Sequence, residues 1–147
     1  MAVTRDRPYG NSNFLVDLGD GDGHATTAGF AEVIFPEFRF AAADTGFPQT
    51  PSTVPAGGAD SNLLVLKRGV LGTLDLYHWW HSNRQGRSPQ RRTVRIDLLG
   101  EDHATVVLTW SFRNAYPVSL AYSPLRAAEG GIATETLKLA FEWVEMS

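Results

Sequence analysis

Trp110-Ser111-Phe112-Arg113-Asn114-Ala115-Tyr116-Pro117-Val118 is the stretch whose reading decides the fold. Val106, Leu108, Trp110 and Phe112 alternate with Val107, Thr109 and Ser111. A period of two sends successive side chains to opposite faces, the mark of a half-buried antiparallel strand. The alternation is expected to end in the Arg-Asn pair and an aromatic-Pro turn. On the upstream side Val94, Ile96 and Leu98 alternate with Thr93, Arg95 and Asp97, and Gly100 to Asp102 supplies a hairpin turn. On the downstream side Leu137, Leu139, Phe141 and Trp143 alternate with Lys138, Ala140, Glu142 and Val144. Asp97 and Glu135 are read as outward strand positions, solvated or facing another subunit.

Further upstream, residues 13–18 read as a first strand with Phe14, Val16 and Leu18 on one face. A companion is expected over about 26–40, bent or at an edge because Pro36 removes a ladder donor. Gly19-Asp20-Gly21-Asp22-Gly23 between them is turn chemistry, since glycine permits positive φ and Asp tolerates it. Residues 41–62 form a long, almost uncharged loop rich in Ala, Gly, Pro, Ser and Thr. A loop of that length without periodicity is either functional or disordered, and its low charge points to burial against a partner subunit. Strand character resumes at 62–68. Thr73 is placed as a helix N-cap with Asp75 in the first turn. Leu74, Tyr77, Trp80 and His81 recur at helical spacing, and Gly86 and Pro89 stop the helix. One domain over 1–147 is expected, with residues 1–12 as an N-terminal tail. The fold class is all-β and mainly antiparallel, a β-barrel or sandwich carrying one packed helix.

Composition narrows the functional classes. Apolar residues make up 43% and charged residues 20%, so an ordinary packed core is expected and not disorder. The formal net charge of −3 argues against electrostatic nucleic-acid binding. Arg84, Arg87, Arg91, Arg92 and Arg95 crowd one short region, read as a solvated turn and strand edge. There is no cysteine, which excludes disulfides and thiolate metal sites. The first residues lack an apolar signal core, and no stretch approaches the ~18 apolar residues of a membrane span. Synthesis in the cytoplasm without membrane anchoring is expected.

His78 and His81 sit three apart on the expected helix, but a catalytic metal usually takes three protein ligands and spacing indicates no third. Asp20, Asp22 and His24 lie in a glycine-rich turn that lacks a calcium loop's downstream bidentate Glu, since Ala31 occupies that place. No Gly-x-Ser-x-Gly elbow is present. Trp79 and Trp80 point about 100° apart on a helix and cannot line one cleft. No catalytic, cofactor-binding or metal-ligating residue is assigned, and no cofactor.

Several segments, in order, resemble the tail tube proteins of contractile phage tails and of extracellular contractile injection systems. Arg7-Pro8-Tyr9 before Asn13-Phe14-Leu15-Val16 is similar to that family's approach to its first strand. Ala28-Gly29-Phe30-Ala31-Glu32-Val33 resembles its Gly-Phe-x-Glu-Val segment, and Leu66-Lys67-Arg68-Gly69-Val70 its Leu-Lys-Arg-Gly run before the helix. Leu76 and Trp79 fall where the family places apolar packing residues. Arg91-Arg92-Thr93-Val94-Arg95-Ile96-Asp97-Leu98-Leu99 resembles its Arg-Arg strand, and the opening stretch together with 133–142 completes the series. The Hcp tube of type VI secretion is a more distant fold relative. The resemblance implies a structural role and no enzyme. Six copies would form a ring, and rings would stack into a tube inside a contractile sheath, with baseplate and tube-cap partners. DNA or protein effectors would pass through the lumen. Such a protein would be made in the bacterial cytoplasm and carried in a phage tail or a released injection particle.

Tyr9, Val54, Pro55, Lys67, Arg68, Arg113 and Asn114 are the candidate assembly contacts. The strand after residue 62 and the long second strand are the candidate lumen wall, and the loop between them the candidate ring-to-ring contact. That loop departs from the family, reading Thr53-Val54-Pro55-Ala56-Gly57-Gly58-Ala59 where the family carries charges and a Lys-x-Pro-Gly-Leu element. The departure leaves room for an adaptor or tube-initiating ring at the baseplate. The remaining alternative is a small β-barrel hydrolase or metal enzyme.

Overall fold

A computed structural model describes residues 2–19, 29–39, 62–82 and 90–147. Seven strands and one helix follow in the order β1 (Phe14–Asp17), β2 (Phe30–Ile34), β3 (Leu64–Gly69), α1 (Asp75–Ser82), β4 (Arg92–Leu99), β5 (Val106–Tyr122), β6 (Thr134–Ala140) and β7 (Trp143–Met146). All described pairings are antiparallel.

The opening stretch does decide the fold, but not as a strand end. β5 runs on through Tyr116-Pro117-Val118 to Tyr122. Asn114, at φ 55°, bends the strand instead of ending it. Up to the bend β5 pairs with β4 on one side and β7 on the other, as in Ile96↔Trp110 and Trp110↔Met146. Beyond it β5 pairs with β6, from Tyr116↔Ala140 to Tyr122↔Glu135. The returning chain breaks in the same place, between β6 and β7, so Trp143 starts a separate strand and does not continue the Leu137–Leu139 alternation. There the Glu142 amide donates to the Arg113 carbonyl at 3.0 Å and Asn114 Nδ2 donates to Glu142 Oε2 at 2.8 Å. Asn is among the few side chains that accept the left-handed region at low cost. Pro117 is tolerated within a strand because no described strand lies on the other side of β5 there.

The bend divides the molecule into two layers. Sheet A has the order β1-β4-β5-β7, and sheet B the order β5-β6-β3-β2. The layers face each other over a core that includes Val16, Leu64, Leu66, Val94, Ile96, Phe112, Leu137 and Leu139. Among the described residues the sheet does not close into a barrel, since β1 and β2 at its two ends do not pair with each other.

The helix packs on β5 through Leu76 and Trp79, both buried. Trp79 Nε1 donates to the Gln90 carbonyl at 2.8 Å, and the Arg92 guanidinium lies 4.4 Å from its ring. Helical periodicity pointed to Leu74, Tyr77, Trp80 and His81 instead. Leu74 and Tyr77 are exposed, and Tyr77 stacks on His81 at 5.4 Å on the outer side. The helix stop at Gly86 and Pro89 lies outside the described residues, as do residues 20–28 and 40–61.

Candidate assembly surfaces

Sheet B carries two differently made faces, fixed by register. Its core face has rows that run across the strands: Phe30, Arg68, Glu135 and Tyr122 in one, Val33, Leu66, Leu137 and Leu120 in the next. Its outer face has Glu32, Lys67, Thr136 and Ala121 in one row, then Ile34, Val65, Lys138 and Ser119. The outer face thus mixes three charged side chains and two hydroxyls with the aliphatic Ile34 and Val65, and Lys67 Nζ lies 3.9 Å from the Glu32 carboxylate.

Both lateral edges of this sheet are open among the described residues. β2 forms one edge and the second half of β5 the other. Each carries a register shift, between Phe30 and Glu32 on β2 and between Pro117 and Ser119 on β5.

Arg68 was expected as an assembly contact, but the structure places it inside the protomer, 1% exposed. Its Nε donates to Glu135 Oε1 at 2.5 Å, and Nη2 donates to Asp75 Oδ1 at 2.5 Å and to Thr73 Oγ1 at 3.2 Å. Charge-assisted hydrogen bonds of this kind let a guanidinium sit in a core. Burial alone would raise the Asp75 carboxyl, but the Arg68 guanidinium and the Thr73 hydroxyl outweigh it and hold the carboxyl below its ordinary value. Burial, with Glu135 nearby, pushes the Tyr122 phenol up.

Glu135 is correspondingly buried, contrary to the outward reading. Asp97 is buried as well: it lies between Leu15 and Thr109 in the ladder, accepts from Thr109 Oγ1 at 2.7 Å and pairs with Arg95 at 3.4 Å. Strand parity would have found Arg68 and Glu135. Arg68 shares the phase of Leu64 and Leu66, and Glu135 that of Leu137 and Leu139.

The other expected contacts separate. Lys67 lies on the outer face of sheet B. Arg113 lies on sheet A and pairs with Glu145 at 3.1 Å. The Trp143 indole N–H, with Arg113, holds the Glu145 carboxyl below its ordinary value. Asn114 is at the bend. Tyr9 braces the N-terminal tail, donating to the Val3 carbonyl at 3.0 Å under the Arg5 guanidinium. The tail itself joins sheet A, the Val3 amide donating to the Val107 carbonyl at 2.8 Å. Val54 and Pro55 lie outside the described residues, as do Asp20, Asp22 and His24. Sequence reasoning missed Leu125 and Ile132, which stand out in the β5–β6 connection. Their only signal was large aliphatics within a Pro/Gly/polar turn. Among the described residues no three His, Cys, Asp or Glu side chains group as metal ligands, and no helix is long and apolar enough to cross a membrane.

These features define a small antiparallel β-protein of two layers joined by one bent strand. The chain belongs to the T4-like virus tail tube protein gp19 family, whose profile matches residues 10–145. It is similar in structure to a chain of an extracellular contractile injection system, the PVC sheath/tube terminator in the extended state, at 20% identity and TM-score 0.74, covering 98% of this chain and 99% of that one. It is also similar to the anti-feeding prophage tube-terminating cap, at 21% identity and TM-score 0.73, covering 100% and 95%. A more distant likeness is to Hcp1 from Flavobacterium johnsoniae, at 16% identity and TM-score 0.57, covering 91% and 94%. No curated protein sequence matches. The protein is a structural tail tube component, not an enzyme.

Proposed function

We propose that the protein is the protomer of the inner tube of a contractile tail or injection system. Six copies form a ring, rings stack, and DNA or protein effectors pass through the bore. The observation that carries this reading is the pair of open edges at opposite sides of one sheet. A protomer with β2 at one edge and residues 116–122 of β5 at the other can pair head to tail with its neighbours. Rotation that closes makes a ring, and closure removes the edges that are otherwise a liability. In that arrangement the outer face of sheet B, with Lys67, Glu32, Thr136 and Lys138, lines the bore. Residues 41–62, Val54 and Pro55 included, serve ring-to-ring contact. A sheath outside and baseplate and cap proteins at the ends complete the partners, in keeping with similar chains from a sheath–tube complex and a baseplate. Synthesis takes place in the bacterial cytoplasm.

The test uses the absence of native cysteine. A panel of cysteine pairs, one on β2 at 31–34 and one on β5 at 117–121, is oxidised and read on denaturing gels beside negative-stain images. Ladders up to a hexamer are expected. Ladders from β1–β7 pairs instead, or only monomers at every concentration, overturn the assignment. An adaptor ring at the baseplate end is the second reading, supported by the likeness to terminator and cap chains. It gives single rings that never stack on themselves.

A further inference from the structure

One end of sheet B is a rim of large apolar side chains. Val70, Leu71 and Leu74 lead from β3 into α1, Tyr122 ends β5, and Leu125 and Ile132 are 87% and 84% exposed on the β5–β6 connection. Single exposed aliphatics are ordinary, but a cluster of six at one end is not. The rim is also held in place. The Val70 amide donates to the Ala133 carbonyl at 2.9 Å, and a Cβ on Gly69 would lie 3.6 Å from Ile132 Cγ2. Beneath it, Arg68 ties the start of β6 to the start of α1 through Glu135, Asp75 and Thr73.

The opposite end of the sheet, where β2 leaves and β3 begins, exposes Ile34 and Phe38. Among the described residues both ends carry an internal ion pair, Arg126 with Glu129 at 3.4 Å and Arg39 with Glu37 at 2.6 Å.

We infer that the rim is the face on which the next ring sits, that its occupant is the Ile34–Phe38 end of a second copy, and that Arg68 is the positioning residue of this face. The inference rests on the tube reading above. Once sheet edges close the ring, strands tilted about 35–45° from the axis direct their ends toward the rings above and below. The two ends differ, so the contact is heterologous and repeats along the axis without closing. Apolar area with paired charge suits a contact that must form identically at every ring.

Leu125→Asp and Ile132→Asp test it in the full chain, with rings counted and tube lengths measured by negative-stain microscopy. The expected result is a wild-type yield of rings, an unchanged urea midpoint, and tubes shortened about tenfold or more, because each side chain would be buried on stacking. Arg68→Lys keeps a cation beside Glu135 but loses the planar fork that also reaches Asp75 and Thr73. Its rings should form, its Val70 amide should exchange faster, and its tubes should be shorter. Wild-type tube lengths in the Asp variants overturn the rim assignment, and loss of rings as well as tubes moves the rim to the ring-closing contact. Wild-type tube lengths in Arg68→Lys overturn the role of Arg68. A wild-type protein that makes no rings overturns the tube reading itself, a result separate from any of these.

Discussion

Arg68→Met offers a quantitative test of how the core holds its charge. The substitution keeps the length of the side chain and removes the guanidinium. Glu135, 3% exposed, is then left as a buried carboxylate without its cation. Removing one partner of a buried pair costs about 3–5 kcal/mol, more than the intact pair adds over an apolar replacement. Asp75 contributes less to the loss, because its side chain is 39% exposed and it sits in the first turn of α1, where a negative charge is favoured. For a domain of this size each kcal/mol moves Tm by about 2–4 °C, so a fall of roughly 6–20 °C is expected. Adding Glu135→Leu removes the orphaned charge and should restore most of the loss. Urea unfolding at pH 7, followed by far-UV circular dichroism at concentrations below assembly, keeps ring formation out of the measurement. A single variant within about 1 kcal/mol of wild type, or a double variant as weak as the single, would refute the reasoning. The pH dependence has a fixed sign. The Asp75 carboxyl is held below its ordinary 3.8, so the Arg68–Asp75 contribution is complete above that value and fades as the pH falls through the lowered one.

Gly19 sits at φ +64° with its Cβ position against the Thr93 carbonyl oxygen, whereas a Cβ on Gly29 at φ +45° meets no atom within 4 Å among the described residues, so Ala should cost about 1–2 kcal/mol at Gly29 and clearly more at Gly19 by urea titration; equal losses would contradict this. Asp102 accepts from the Thr105 hydroxyl and from the amides of Ala104 and Thr105, and its carboxyl is held down to about 2. The stabilisation from that turn is present above about pH 4 and lost as the pH falls through about 2, and an NMR titration midpoint near 3.8 for Asp102 would count against it. At the bend, Asn114→Gly should be nearly neutral and Asn114→Val should lose about 2 kcal/mol or more, because a β-branched side chain resists positive φ; similar midpoints for the two would show that the bend is not locally encoded. Deleting Ala31 removes the extra residue of the β2 bulge while leaving Phe30 and Val33 on the core face, so the protomer should fold but give irregular assemblies in place of uniform rings; unaltered rings would show that the bulge is dispensable.

Alternation made β4, the first half of β5 and most of β6 readable from sequence, because each buries one face and a slip of one residue would reverse it. The local rule failed at Asn114-Ala115-Tyr116-Pro117. Turn-prone residues there permit either a turn or a bend, and only the change of partner from β4 and β7 to β6 decides which. Helical periodicity failed for a related reason. Eight residues can present both Tyr77–His81, in line with the preceding Leu74, and Leu76–Trp79, and the layer beneath selects the second. The Arg68–Glu135 pair was encoded in strand phase but masked by the habit of assigning charge to solvent.

The open edges also explain why the two bulges of sheet B lie where they do. A straight, unprotected edge pairs with any strand that meets it, which leads to aggregation and not to a ring of fixed size. In sheet B the two edge strands are each interrupted, β2 next to Phe30 and β5 beyond Pro117, while the Leu64–Leu139 and Leu66–Leu137 pairing between β3 and β6 runs without a shift. A bulge twists its strand and removes one ladder position. Pairing across such an edge then requires a partner of matching twist and offset, and in the proposed ring that partner is the opposite side of the same sheet. The irregularities that weaken β2 and β5 as isolated ribbons are therefore the features that would restrict a sister copy to one register, and a fixed register repeated around an axis is what makes closure possible.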